Sequence, residues 1–156
     1  MSNRRNFIKK SALGTLGVSS ILGCDELNNA NIKKTYPRII STWNHGLDAN
    51  KKAWEVLKNG NGGLSAIEEG VKVSEADPKV RSVGYGGYPD REGIVTLDAC
   101  IMDKNSNCGS VSFLQNIKHP ISVARHVMED TPHVMLSGKG ALDFAISKGY
   151  KQENLL

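Results

Sequence analysis

Apolar residues recur at three- and four-residue spacing in the middle of the chain, which predicts two consecutive helices. The first covers residues 49–58, with Asp48 as its N-cap and Gly60 ending it. The second covers residues 64–76, with Ser65 and Glu68 on its polar side, and ends before Pro78.

Short β-branched and apolar runs predict strands on either side of this helical pair. Residues 38–43 (RIISTW) read as a core strand, residues 94–102 and 109–114 as a hairpin, and residues 134–136 as a further strand. Helices are predicted over residues 120–129, which begin with proline, and over residues 140–148, which Gly149 ends. This order suits an α/β fold of the α+β type, with helices layered on an antiparallel or mixed sheet.

The 156 residues are enough for one domain, and their net charge of +4 comes entirely from the N-terminus. Arg4, Arg5, Lys9 and Lys10 are the only charged side chains among residues 1–24, so the remaining 16 basic and 16 acidic residues balance. A nucleic-acid partner is therefore not expected.

Residues 1–24 are typical of an export signal. The segment RRNFIKK (residues 4–10) resembles a twin-arginine signal, residues 11–23 are an apolar stretch, and ILGC (residues 21–24) resembles a lipobox. We expect Cys24 to carry a lipid, residues 25–37 to form a polar tether, and residues 38–156 to fold. The protein would then be a bacterial periplasmic protein or a membrane-anchored lipoprotein; the alternative is a buried N-terminal helix with an ordinary cysteine.

Little metal or cofactor chemistry is indicated by the remaining residues. Cys100 and Cys108 have no metal-ligand spacing and are expected to be buried free thiols, with a hairpin disulfide as the alternative. The glycines near residue 85 do not match a dinucleotide-binding motif. Prolines separate His119, His126 and His133, for which surface or capping roles are expected, and no metal site is predicted.

The best site candidate is Trp43, at the end of the first predicted strand and followed by Asn44, His45 and Gly46. A large ring beside a flexible loop can line a pocket, although a core tryptophan is the alternative. Asp98 and Asp103 could act as paired acid and base, but a strand holds them about 17 Å apart. They are expected to anchor the strand ends.

Several segments, in order, resemble the N-terminal (α) part of the glycosylasparaginases, which are N-terminal nucleophile hydrolases. The resemblance covers about residues 38–156. The matching segments are STWNHG (41–46), AWEVLKNG (53–60), RSVGYGGYPDREG (81–93), VTLDACIMD (95–103), residues 117–145 and ENLL (153–156).

The resemblance implies the N-terminal half of an αββα four-layer sandwich, incomplete in this chain. It also implies an enzyme that hydrolyses the amide between N-acetylglucosamine and an asparagine side chain without a cofactor, after cutting itself before a nucleophilic threonine. Trp43 would bind substrate, Ser82 would support the nucleophile, and His45 would alter the pocket rim. The implied partners are the β portion of the same precursor and, for the complete protein, further copies of itself.

The Asp-Thr-Ile-Gly segment that holds the family's nucleophile does not occur in these 156 residues, so no catalytic residue is expected in this chain. Thr131, followed by Pro132, is not a substitute. We expect the chain alone to be inactive and prone to aggregation. Three alternatives stay open: part of an L-asparaginase or isoaspartyl peptidase, a non-catalytic exported lipoprotein, and an α-like chain completed by a separately encoded β part.

Overall fold

The computed structural model describes residues 36–155, and the elements below belong to one compact unit, Ile39–Leu156. The predicted signal, the lipid-carrying Cys24 and most of the tether lie outside the described residues. Within residues 36–155, four α-helices and a three-stranded sheet give a mixed α/β fold. Their bounds are α1 Gly46–Lys58, α2 Gly63–Ala76, β1 Leu97–Met102, β2 Cys108–Leu114, α3 Pro120–Asp130, β3 Met135–Ser137 and α4 Gly138–Ser147.

Helices α1 and α2 form a tightly packed pair because their facing residues are small. A Cβ atom on Gly70 would lie 2.7 Å from the Ala49 carbonyl oxygen and 3.1 Å from the Ala53 Cβ. Gly60, with φ of +83°, ends α1 as predicted: its N–H donates to the Leu57 carbonyl and that of Asn61 to the Val56 carbonyl. Asp48 is not the cap, because α1 begins two residues earlier, at Gly46.

The predicted hairpin is confirmed, and β3 adds to its β2 edge in parallel, giving the order β1-β2-β3. Asp103 holds the turn by accepting hydrogen bonds from the backbone N–H groups of Asn105 and Asn107. The left-handed residue in this turn is Ser106, not an asparagine. Asp98 accepts a hydrogen bond from the Phe113 amide beside a β-bulge, so both aspartates anchor strand ends as expected.

Helices cover one face of the sheet and form the main core. Gly109 lies under α3, where a Cβ atom would be 2.2 Å from the Ala124 carbonyl oxygen. The best-buried side chains of the core come from β2, α3, α4 and the segment between β2 and α3: Val111, Leu114, Ile117, Val123, Val127, Ala141 and Ala145.

The opposite face of the sheet carries exposed and half-buried side chains, among them Cys100, Met102 and Met135. The prediction of two buried thiols is wrong in part: both cysteines are free, but Cys100 is exposed and Cys108 half-buried. Strand alternation places Cys100 on the open face, and the register pairs Cys100 with Ser110 and Cys108 with Met102. The alternative of a hairpin disulfide is therefore not observed.

The predicted strand over residues 38–43 is also wrong. These residues have no regular secondary structure, and Ile40 is 89% exposed. The segment has the composition of a strand, but none of the described strands hydrogen-bonds to it.

Candidate functional site

Trp43 lies in a turn immediately before α1, rather than at the end of a strand. The Gly46 N–H donates to the Trp43 carbonyl at 2.8 Å, and the next amide, that of Leu47, donates to Asn44 at 3.1 Å. The indole is 69% exposed, so the alternative of a core tryptophan is wrong. Gly46 permits this turn because a Cβ atom there would overlap the Ser41 side chain.

His45 connects this turn to the last turn of α2. Its Nδ1 atom lies 3.1 Å from the hydroxyl oxygen of Ser74, which is buried. The imidazole is half-buried, whereas Trp43 two residues earlier points its ring into solvent. The hydrogen bond therefore fixes the Trp43 turn on α2 and leaves the indole exposed.

The glycine-rich segment of residues 82–93, the Ser82 loop, contains a 3₁₀ turn, Gly84–Gly86. This turn packs against the backbone of Glu75, the residue after Ser74. Gly84 has φ of +56°, and a Cβ atom there would lie 2.2 Å from the Glu75 carbonyl oxygen. Only glycine tolerates both conditions. Ser82 precedes this turn and is exposed.

The structure thus attaches the two predicted site segments to consecutive residues of one helix. The Trp43 turn contacts Ser74 through His45, and the Ser82 loop contacts Glu75 through Gly84. The loop is closed by a hydrogen bond from the Tyr88 amide to the Arg81 carbonyl, at 3.0 Å. Both segments therefore lie at the C-terminal end of α2.

Two buried or partly buried glutamates on α2 were not singled out as site residues by the sequence. The Glu75 carboxylate accepts a hydrogen bond from the Ile121 amide at 3.1 Å and lies 3.2 Å from Nδ1 of His119. The Glu68 carboxylate accepts from Ser122 Oγ at 2.6 Å and from Arg125 Nη1 at 2.7 Å. Their seven-residue spacing, which puts both on one helix face, was the available signal.

The surroundings of these carboxyls move their pKa values in opposite directions. Burial raises the pKa of Glu75 above its ordinary value, and the hydrogen bonds from His119 and Ile121 only partly offset this effect. Burial also acts to raise the pKa of Glu68, but hydrogen bonds from Ser122 and Arg125 outweigh it, so that pKa is lowered. Glu75 therefore becomes protonated at a higher pH than Glu68.

The expected surface role holds for His133, which is exposed, whereas His126 is half-buried and pairs with Asp130 at 2.8 Å. His119 occupies the N-cap position of α3, but its side chain makes no cap hydrogen bond and lies beside Glu75 instead. Within residues 36–155, no three His, Cys, Asp or Glu side chains come close enough to hold a metal ion. In the same part of the chain, no helix has the length and apolar character needed to cross a bilayer.

The segments around Trp43 and Ser82 both lie within a region of the chain that is similar to known proteins. The sequence profile of the asparaginase family matches residues 29–155. The chain belongs to the asparaginase family. It is 56% identical to an N(4)-(β-N-acetylglucosaminyl)-L-asparaginase from Elizabethkingia miricola, over 99% of this chain and 46% of that relative. It is 41% identical to the enzyme of the same name from Rattus norvegicus, over 76% of this chain and 34% of that relative.

This asparaginase-family chain therefore spans about half, or less, of the length of the curated relatives it matches.

Two surface grooves of the described residues lie away from Trp43 and Ser82. One, of about 440 Å³, is lined by Leu64, Ile67 and Met102 among others, and the second, of about 300 Å³, by Phe113, Lys139 and Leu142 among others. Trp43 and Ser82 are themselves exposed.

Proposed function

We propose that this chain is the N-terminal part of a glycosylasparaginase-type hydrolase, which cleaves the amide between N-acetylglucosamine and an asparagine side chain. The observation that carries the proposal is the 56% identity to the Elizabethkingia miricola protein, which extends over 99% of this chain. That range includes both the Trp43 turn and the Ser82 loop.

The nucleophile would come from polypeptide that is not among these 156 residues. In the proposed reaction, a threonine hydroxyl exposed by self-cleavage attacks the side-chain amide carbonyl, while the threonine's own amine accepts the hydroxyl proton. The C–N bond then breaks, and the amine leaves with that proton as a glycosylamine. Water hydrolyses the resulting β-aspartyl ester, so no cofactor is required.

In this proposal, the described residues supply the substrate-binding side of the site. The exposed Trp43 indole lines the pocket, and Ser82 supports the nucleophile from the neighbouring loop. Their common attachment to Ser74 and Glu75 supports a joint role, because two segments fixed to one helix turn keep a constant spacing. His45, held by Ser74, would lie at the rim.

The open sheet face supports a four-layer αββα arrangement in the complete protein. Cys100, Met102 and Met135 are exposed on a sheet whose other face is covered by helices. We propose that a second sheet, supplied by the β portion of the precursor, packs on this face. The complete protein would further associate with copies of itself.

We also propose that the protein is exported and held at a membrane by a lipid on Cys24. The order of a twin-arginine segment, an apolar stretch and ILGC supports this. Replacing Cys24 with serine is expected to move the protein from the membrane fraction to the soluble periplasmic fraction. An unchanged distribution between these fractions would contradict lipid attachment.

The function is tested with a completed protein, in which this chain replaces the matching N-terminal segment of the Elizabethkingia miricola relative. We expect it to cut itself and then to release aspartate from N-acetylglucosaminyl-asparagine. The matched control replaces with alanine the threonine of the Asp-Thr-Ile-Gly segment, which the resemblance to glycosylasparaginases implies for the added part. A completed protein that unfolds cooperatively but hydrolyses only asparagine or an isoaspartyl dipeptide would overturn the proposal in favour of a different amidase. One without any of these activities would support a non-catalytic role.

A further inference from the structure

Glu75 lies at the contact between α2 and α3 and has no part in the proposed reaction. Its side chain is buried, and its two carboxylate oxygens lie near different groups of α3. One accepts the Ile121 N–H at 3.1 Å, and the other lies 3.2 Å from His119 Nδ1. Ile121 is in the first turn of α3, where amides have no partner within the helix. The carboxylate therefore acts as a cap supplied by another helix.

The same turn of α2 also contacts both candidate site segments. The carbonyl group of Glu75 is in contact with Gly84, and the preceding residue, Ser74, is hydrogen-bonded to His45. A displacement of this turn would consequently move the Trp43 turn and the Ser82 loop together. Neither the Glu75–Gly84 contact nor the Ser74–His45 hydrogen bond involves a group that takes part in the proposed reaction.

We propose that Glu75 is a positioning residue of the substrate-binding site, which sets the Trp43 turn and the Ser82 loop in place by fixing the end of α2 against α3. This inference rests on the proposed function for the identity of the substrate. Glu75 acts through Ser74, His45 and Gly84, and does not touch substrate itself.

Glu68 provides a matched comparison on the same helix. It connects α2 to α3 through Ser122 and Arg125, as Glu75 does through Ile121 and His119. However, it lies about two helical turns before Glu75, and none of its hydrogen bonds reaches the Trp43 turn or the Ser82 loop. Removal of either carboxylate is expected to weaken the helix contact, but only removal of Glu75 should displace the two segments.

The test measures KM and kcat of the completed protein for N-acetylglucosaminyl-asparagine in three variants. We expect Glu75→Ala to raise KM by roughly 10- to 100-fold, with a smaller change in kcat, because misplaced binding groups weaken substrate binding. Glu75→Gln, which keeps an oxygen to accept the Ile121 N–H, should restore KM to within about threefold of the wild type. Glu68→Ala should leave KM unchanged. Equal KM values in Glu75→Ala and Glu68→Ala would overturn the proposal.

Two further measurements test the positioning role if Glu75→Ala does not fold, or if the completed protein does not hydrolyse N-acetylglucosaminyl-asparagine. Gly84→Ala places a Cβ atom against Glu75 from the loop side, and should raise KM as Glu75→Ala does; an unchanged KM would contradict the proposal. Hydrogen exchange of the Gly87 and Tyr88 amides, which donate within the loop, needs no activity. Exchange should be faster in Glu75→Leu, which fills the space but cannot accept the Ile121 N–H, than in Glu68→Leu. Equal rates would overturn the positioning role even where the proposed function itself had failed.

Discussion

Two side chains on α2, Glu68 and Glu75, make pH-dependent contributions of opposite sign to stability. The lowered pKa of Glu68 means that its contribution to stability is present above about pH 4.5 and is lost as the pH falls through the folded-state pKa. The raised pKa of Glu75 has the opposite consequence: its contribution is full below about pH 4.5 and is lost as the pH rises through its folded-state pKa.

We therefore predict opposite pH dependences for the two glutamine variants. Between about pH 4 and about pH 7, the free energy of unfolding of the wild type should increase relative to Glu68→Gln and decrease relative to Glu75→Gln. Urea unfolding of the completed protein at both pH values checks this. Parallel curves for the two variants would show that the two carboxyls do not differ in their coupling to folding.

Gly109 is a second position where one atom has a large effect. A Cβ atom there would lie 2.2 Å from the Ala124 carbonyl and 2.4 Å from the Met128 amide nitrogen, so α3 would have to move away from the sheet. Gly109→Ala is expected to cost roughly 2–3 kcal/mol of unfolding free energy. Gly140→Ala in α4 is the control, since its Cβ would meet nothing within 4 Å, and it should change stability by less than about 1 kcal/mol. Similar melting temperatures for both variants would contradict the close packing at Gly109.

Some secondary-structure elements can be predicted from neighbouring residues alone, whereas others depend on a distant segment. Helices α1 and α4 end where their glycines predicted, because Gly60 and Gly149 each adopt a positive φ that stops a helix through local hydrogen bonds. The 38–43 segment shows the opposite case. Its β-branched residues favour a strand, but a strand requires hydrogen-bonding groups from a second segment, and the described strands do not provide them to it.

We predict that residues 39–41 become a strand when the rest of the protein is present. Their amides should exchange with solvent rapidly in this chain alone and at least about 100-fold more slowly in the completed protein, because pairing protects backbone N–H groups. The amides of β1 between Ala99 and Met102, already paired with β2, serve as the internal reference. Equally rapid exchange of residues 39–41 in both proteins would rule out the pairing.

At the scale of the whole molecule, the described residues present a sheet with one open face and an apolar segment without a partner. Met102, Met135 and Ile40 are more than half exposed. Such surfaces favour association with another polypeptide. The curated relatives are more than twice as long as the range matched here, and in our proposal that polypeptide is the remaining part of such a protein.

The corresponding prediction concerns residues 25–156 by themselves. They should not hydrolyse N-acetylglucosaminyl-asparagine, and they should self-associate in sedimentation experiments and lack a sharp melting transition. Addition of the relative's C-terminal part should shift them to a defined complex. A monodisperse, cooperatively melting monomer would contradict this prediction, and hydrolysis by that monomer would contradict the assignment of the nucleophile to missing polypeptide.

The sequence by itself determined the helices and the hairpin, because helix-ending glycines, turn residues and apolar spacing act over a few positions, and it indicated the family through the resemblance of several segments. Trp43 is a site candidate both from its place beside a flexible loop and from the resemblance to glycosylasparaginases, and Ser82 from the resemblance alone. Only the tertiary structure decided that both segments attach to Ser74 and Glu75, and that the 38–43 segment is unpaired. These features depend on which distant residues meet, and periodicity in a single chain contains no information on that.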